Sequence, residues 1–284
     1  MLNSDMTTSY GSMIYEIGKT YKLEGEIISR ANGFHFSREL TDCLLYYFNL
    51  NNDKRFFEIE TGDNVIEKGD KYITNEITII KELTIDEVFD CIRENKDIVN
   101  WEYICYWQKL SENFIREFAD YVDWYYISSE QTLSEEFIRE FKDYVDWDFI
   151  SDKQTLSEEF ICEFKDYVDW VSISAYQTLS EEFIGKFKDY VDWDCISYKQ
   201  KLSENFIREF KDYVNWNCIS EYQKLSEEFI REFEEYVDWD YISSEQTLSE
   251  NFIREFADYV YWYHIVEYQT LSEEFIREFA DYID

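Results

Sequence analysis

Through the last two thirds of the chain, apolar residues recur at helical spacing in a pattern that restarts every 23 residues. In LSEEFIREFKDYVDW, residues 133–147, the apolar positions Phe137, Ile138, Phe141 and Val145 are separated by charged residues, which predicts an amphipathic helix. Ser134, ahead of the acidic pair Glu135 and Glu136, reads as an N-cap whose hydroxyl takes up a free backbone N–H, with negative charge at the positive end of the helix. Leu133 before the cap and Ile138 four positions into the helix predict a hydrophobic staple. The same punctuation follows at once with other letters: Val145, Asp146 as cap, Trp147, and Ile150 as the staple partner. Each unit is therefore predicted to hold one helix of about ten to twelve residues and one of roughly two turns.

With Trp as the first position, residues 101–284 divide into eight 23-residue units opened by Trp101, Trp124, Trp147, Trp170, Trp193, Trp216, Trp239 and Trp262. The eighth unit closes on Asp284, so the array is expected to end with the chain. Fixed-period self-similarity predicts stacked supersecondary units, here an all-α solenoid of two-helix repeats. Helices this short are marginal alone, so each unit is expected to supply the wall against which the next one packs. The tryptophans are expected to form a buried spine, each removing on the order of 200 Å² from water. Phe114 and Phe118 through Phe275 and Phe279 are expected to line the same core. At about 8–10 Å per layer the array would form a rod or shallow superhelix of roughly 70–80 Å. Residues 86–100 are predicted to form an irregular leading helix over the first unit. Cys105 and Val266, in the slot held by Ser elsewhere, mark atypical terminal copies.

The front of the chain is written differently. Six of its seven glycines precede residue 70, and residues 12–83 predict an α+β region: strand pieces broken by Gly18 and Gly25, a helix within 38–50, then strands around turns at Gly62 and Gly69. The expected organisation is an irregular or disordered N-terminus (1–13), a small α+β domain (14–83), a capping helix and linker (84–100) and the solenoid (101–284). A domain this small is expected to dock on the first repeats.

Composition supports folding, with 45% apolar and 20% aromatic residues. No basic leader runs into an apolar stretch, and no segment approaches the roughly 20 apolar residues of a membrane span, so neither secretion nor insertion is expected. The formal charge of −36 argues against nucleic acid as a partner and favours a basic protein partner or none. A DNA mimic would need carboxylates spaced like phosphates, whereas here acids gather at helix starts. The six cysteines, including Cys195 and Cys218 in one repeat slot, form no CxxC pair and are read as free thiols; no metal and no cofactor are expected.

Gln108 and its counterparts through Gln269 hold one slot in all eight units. They either grip an extended ligand or satisfy backbone groups at the turn between helices, and the second is the expected role. Arg116, Arg139, Arg208, Arg231, Arg254 and Arg277 are expected to make ion pairs on the helix face. The units differ at the two residues after Trp and the two before Gln. Those pairs reflect either drift on unconstrained surface or one exposed, Tyr- and acid-rich ridge for protein binding: Tyr103, Tyr106, Trp107, Tyr125, Tyr126, Asp148, Phe149, Tyr176, Asp194, Tyr198, Tyr222, Asp240, Tyr241, Tyr263 and Tyr268.

YEIGKTYKLEGEI, NGFHFS, a helix ending in YYF and RFFEIETGDNVIEKGDKYITNEITIIKEL occur in that order over residues 14–83, and the segment resembles a small domain of unknown function found in bacteriophages and giant DNA viruses. Residues 101–284 resemble the Trp/Ile-Ser/Gln/Leu-Ser/Phe-Ile repeats of uncharacterised giant-virus proteins. Neither resemblance implies an activity. Together they imply a protein of the host cytoplasm or the virion. Gly33-Phe34-His35-Phe36-Ser37, the helix with Tyr46 and Tyr47, and the strand with Glu58 and Glu60 are distantly similar in order to ADP-ribosyltransferases, which would imply NAD chemistry around His35 and Glu58; the expected role of His35 is structural. The favoured reading is a non-catalytic, monomeric interaction scaffold, with the enzyme as the alternative.

Overall fold

The computed structural model describes residues 2–3, 14–28, 32–47, 54–68 and 71–283. It divides into two compact units, Met1–Asp146 and Trp147–Asp284. The first contains β1 (Leu2–Asn3), β2 (Thr20–Lys22), β3 (Phe34–Phe36), α1 (Leu40–Tyr47), β4 (Lys54–Arg55), β5 (Phe57–Thr61), β6 (Val65–Lys68), β7 (Lys71–Thr74), β8 (Glu76–Glu82) and α2 (Ile85–Glu94), followed by repeat helices. Among the described residues all strand pairing is antiparallel, in two three-stranded sheets of order β2-β8-β5 and β3-β7-β6 and a short β1-β4 pair. Alternation in EITII buries Ile77 and Ile79 of the central strand β8, where they pack with Tyr15 and Phe34. Arg55 closes the sheet edge with a two-pronged ion pair to Glu82, which holds that carboxyl below its ordinary range.

The front region is thus α+β, as expected. Leu2–Asn3 forms a strand within the segment expected to be irregular, and residues 4–13 and the expected turn at Gly69 lie outside the described residues.

Thr84 starts α2 with a reciprocal capping box: Glu87 N donates to Thr84 Oγ1 at 3.2 Å and Thr84 N to Glu87 Oε2 at 2.8 Å. α1 lies against α2, and Phe89 of α2 meets Phe114 of the first repeat at 4.8 Å between ring centres. The leading helix is less irregular than expected. CIRENKDIVNW (91–101) aligns with FIREFADYVDW (114–124), Ile92 is as buried as Ile115, and Arg93 pairs with Glu117 as Arg116 pairs with Glu140. α2 is therefore a further copy of the second repeat helix, standing ahead of the first complete unit.

Each repeat in both compact units holds a seven-residue helix beginning at Trp and a six-residue helix capped by Ser, for example Trp124–Glu130 with Glu135–Glu140, and Trp193–Lys199 with Glu204–Glu209. The second helix is shorter than expected. It stops at Phe141 (φ −111, ψ 27), and Tyr144 and Val145 both donate their N–H to Phe141 O, so the apolar spacing continues through a tight turn. The Ser134 cap forms as expected, its Oγ accepting from Phe137 N at 3.2 Å, and Leu133, Ile138, Val145 and Ile150 are buried.

The eight tryptophans that open the repeats are half-buried, which corrects the expectation of a buried spine; the buried residues are Phe137, Ile138, Ile150 and their counterparts, except for the exposed Ile276. Each indole packs on the following helix of its own unit, Trp193 meeting Phe206, Phe210 and Tyr213 at 6.3, 5.3 and 5.3 Å. Its outer edge stays at the surface because Nε1 donates to a carbonyl five residues earlier, at 2.9 Å from Trp193 to Lys188.

Side-chain to backbone bonds recur at three positions at and across the junctions between repeats. Gln200 Nε2 donates to Ser174 O and Gln177 O at 3.0 and 2.7 Å, while its Oε1 accepts from Leu179 N at 3.2 Å. Gln131, Gln177, Gln223, Gln246 and Gln269 do the same. Ser220 Oγ donates to Trp216 O at 2.7 Å and accepts at 2.9 Å from the N–H of Asp238, the last residue of its own unit and the cap of the Trp239 helix that opens the next. Glu204 Oε1 accepts from Ser226 N at 2.6 Å. The Gln side chain does satisfy backbone groups, as expected, but those groups belong to the preceding repeat. With both ends of the amide engaged, a ligand-gripping ladder is excluded at these positions.

Arginine also reaches across: Arg208 Nε donates to Glu232 at 2.7 Å, its guanidinium lies 5.0 Å over Phe229, and the expected pair with Glu204 in its own helix is present at 3.7 Å. Because Ser220 is buried and bonds in both directions, Ser220→Ala is expected to cost about 1–3 kcal/mol in urea unfolding, most of it from the orphaned Asp238 N–H.

Candidate protein-binding ridge

Once the recurring polar groups are spent on neighbours, the residues that vary from unit to unit stand on the Trp helix. That helix is two turns long, so positions 2, 3, 6 and 7 of a unit project away from the buried Ile-Ser pair at positions 4 and 5. Positions 2 and 7 are the outermost. Tyr125, Asp148, Asp194 and Tyr263 are exposed at the second position, and Trp107, Tyr176, Tyr222 and Tyr268 at the seventh. Tyr106 and Tyr198, at the sixth, are also exposed. Tyr103, Tyr126, Phe149 and Tyr241, at the third, are half-buried, as is Asp240 at the second.

Exposed and half-buried members alike connect one repeat to the next. In the first compact unit, Tyr126 donates to Glu102 at 3.3 Å and its ring meets Tyr106 at 5.3 Å. In the second, Tyr198 and Tyr222 meet edge-to-face at 4.4 Å, Asn215 Nδ2 donates to Asp194 at 2.7 Å, and His264 Nε2 lies 2.7 Å from Asp240. Shared acids raise the tyrosines. A hydrogen bond to Glu221 pushes Tyr222 up to about 12, the charge of Glu221 raises Tyr241, and Glu267 raises both Tyr263 and Tyr268. These phenols remain protonated donors at neutral pH, set among carboxylates. The expected ridge residues therefore share the face of the Trp helices within each compact unit, divided into an exposed row and a half-buried row. Sequence reading did not separate the two rows, although the placement of the Ile-Ser pair at positions 4 and 5 of the seven-residue helix carries that information.

His35 is exposed on β3 opposite Ile73, and Glu58 is exposed on β5 opposite Lys81, whose ammonium lies 3.7 Å from it. They stand on different sheets. All six cysteines are free, and burial pushes the thiols of Cys105 and Cys195 up to about 12 and about 11, far from thiolate reactivity. Among the described residues, no helix is long and apolar enough to cross a membrane, and no three His, Cys, Asp or Glu side chains gather as metal ligands.

Residues 1–91 match a domain of unknown function, DUF7666. The match ends inside α2, so DUF7666 covers the sheets and α1 and stops where the repeat grammar begins. It agrees with the small N-terminal domain of unknown function expected from the sequence. No curated protein and no solved structure matches the chain. A domain of unknown function followed by helical repeats is an arrangement consistent with a non-catalytic repeat scaffold.

Proposed function

We propose that the chain is a monomeric protein-interaction scaffold, in which the repeats present the ridge of variable Trp-helix residues to a basic protein partner. The observation that carries this reading is the division of labour within each unit. Recurring Gln, Glu and Arg side chains bond to adjacent repeats and Ser to the cap of the next Trp helix, while the positions that vary from unit to unit lie on the Trp helix and carry exposed Tyr and acidic residues. Tyrosine offers large amphipathic contact area at low entropic cost, and the net charge of −36 steers basic partners toward the surface. Resemblance to giant-virus repeat proteins supports placing it in the cytoplasm of an infected cell or in the virion.

The test is capture by the full-length chain against a variant with Tyr176→Ser, Tyr198→Ser and Tyr222→Ser. Loss of a specific basic protein from the captured set, with unchanged helical circular dichroism, is the expected result. A captured set indifferent to the three substitutions contradicts the proposal.

A further inference from the structure

A second aromatic row belongs to the recurring part of the unit. The tyrosine two positions before each cap packs one side of its ring on the Trp of its own repeat, at 5.2 Å for Trp170–Tyr190 and 5.3 Å for Trp239–Tyr259. The other side takes a cation from the preceding repeat. Lys165 lies 5.7 Å over Tyr190, Lys188 5.4 Å over Tyr213 and Lys211 5.8 Å over Tyr236.

The next two repeats break this pattern. The lysine slot holds Glu234 ahead of Tyr259 and Ala257 ahead of Tyr282. Exposure follows: Tyr190, Tyr213 and Tyr236 are 42–45% exposed, Tyr259 and Tyr282 53% and 50%. The first compact unit repeats the contrast, since Lys96 covers a half-buried Tyr121 at 4.9 Å while Tyr144, preceded by Ala119, is 58% exposed. Around the two open rings the charge is negative, with Glu234, Glu235, Asp258 and Asp281 all exposed.

We propose that Tyr259 and Tyr282 are docking positions for lysine or arginine side chains of an extended basic peptide, one side chain per repeat. The chain itself supplies the precedent: an ammonium seated on the same ring position in the repeats just before. Neighbouring repeats pack at helix-to-helix spacing of about 8–10 Å, and an extended polyproline-type chain advances about 3.1 Å per residue, so cations at every third residue fall in register with the rings. This surface is separate from the variable ridge, whose substitutions leave both rings untouched.

The test is fluorescence anisotropy of the full-length chain with a labelled peptide of four Lys-Pro-Pro triplets and a composition-matched peptide with its lysines in one block. The triplet peptide is expected to bind more tightly. Tyr259→Leu and Tyr282→Leu are expected to weaken it about threefold each and roughly tenfold together. Glu234→Lys leaves the ring in place and seats a cation on it, so it is expected to weaken the triplet peptide more than Glu228→Lys, which makes the same charge change elsewhere. Equal binding of both peptides, equal effects of the two lysine variants, affinity indifferent to the rings, or no measurable binding would each overturn the proposal.

Discussion

Gln200→Leu lowers the stability of the second compact unit by about 3–5 kcal/mol. The substitution keeps apolar volume but strands two buried carbonyls, on Ser174 and Gln177, and the N–H of Leu179, each at a cost of about 1–3 kcal/mol, partly offset by the buried leucine. Gln200→Glu discriminates further, because its carboxylate can still accept from Leu179 N but faces both carbonyls with no proton. It is expected to be at least as destabilising as leucine at neutral pH. Burial raises the pKa of the introduced acid above its unfolded value, so the loss shrinks as pH falls and the carboxyl gains a proton to donate. Gln269→Leu breaks the same three bonds but at a half-buried amide, and is expected to cost less than Gln200→Leu because water reaches the groups it releases more readily. Urea unfolding of the three variants checks the order; a Gln200→Glu variant as stable as the parent would remove the bridging role.

Phe229→Ala is expected to cost about 3–5 kcal/mol. The ring is fully buried, meets Trp216 and Phe233 at 6.2 and 4.7 Å, and has the Arg208 guanidinium 5.0 Å away on its face. Its loss leaves a cavity and removes the apolar seat of an ion pair that joins two repeats. Arg208→Ala is expected to cost only about 1 kcal/mol, because the pair with Glu232 is solvent-exposed. If the two substitutions had equal effects in thermal unfolding, the core would be held by surface charge, contrary to the packing.

Much of this was legible in the sequence because its signals are local. Ser134 with Glu135 and Glu136 announced a cap, Leu133 and Ile138 a staple, and the fixed Trp spacing an uninterrupted array. What was misread depends on neighbours. Phe137, Phe141 and Val145 keep helical spacing through a turn that periodicity cannot distinguish from helix. Gln200 and Arg208 find partners 21 to 26 residues away, a separation invisible until the repeats are stacked. The half-buried state of Trp193 follows from its indole N–H, which must reach a carbonyl at the junction. Residues 91–101 carried a readable signal, IREN followed by Trp eight residues after the Arg, that marks α2 as a copy of the repeat helix. On the ridge, the unit-to-unit differences identified the variable positions, but the exposed and half-buried rows separate only when Tyr126 is seen against Glu102 and Tyr106 of the preceding repeat.

Amide hydrogen exchange of the unmodified protein tests the central claim most directly. Leu179 and Leu202 lie outside both helices of their repeats, and their N–H groups are accepted by Gln200 and Gln223 of the repeats that follow. They are expected to exchange as slowly as the helical amide of Ile184, since releasing them requires separating two repeats. Exchange of Leu179 and Leu202 at the rate of open turns, with Ile184 protected, would contradict an array joined by its recurring side chains.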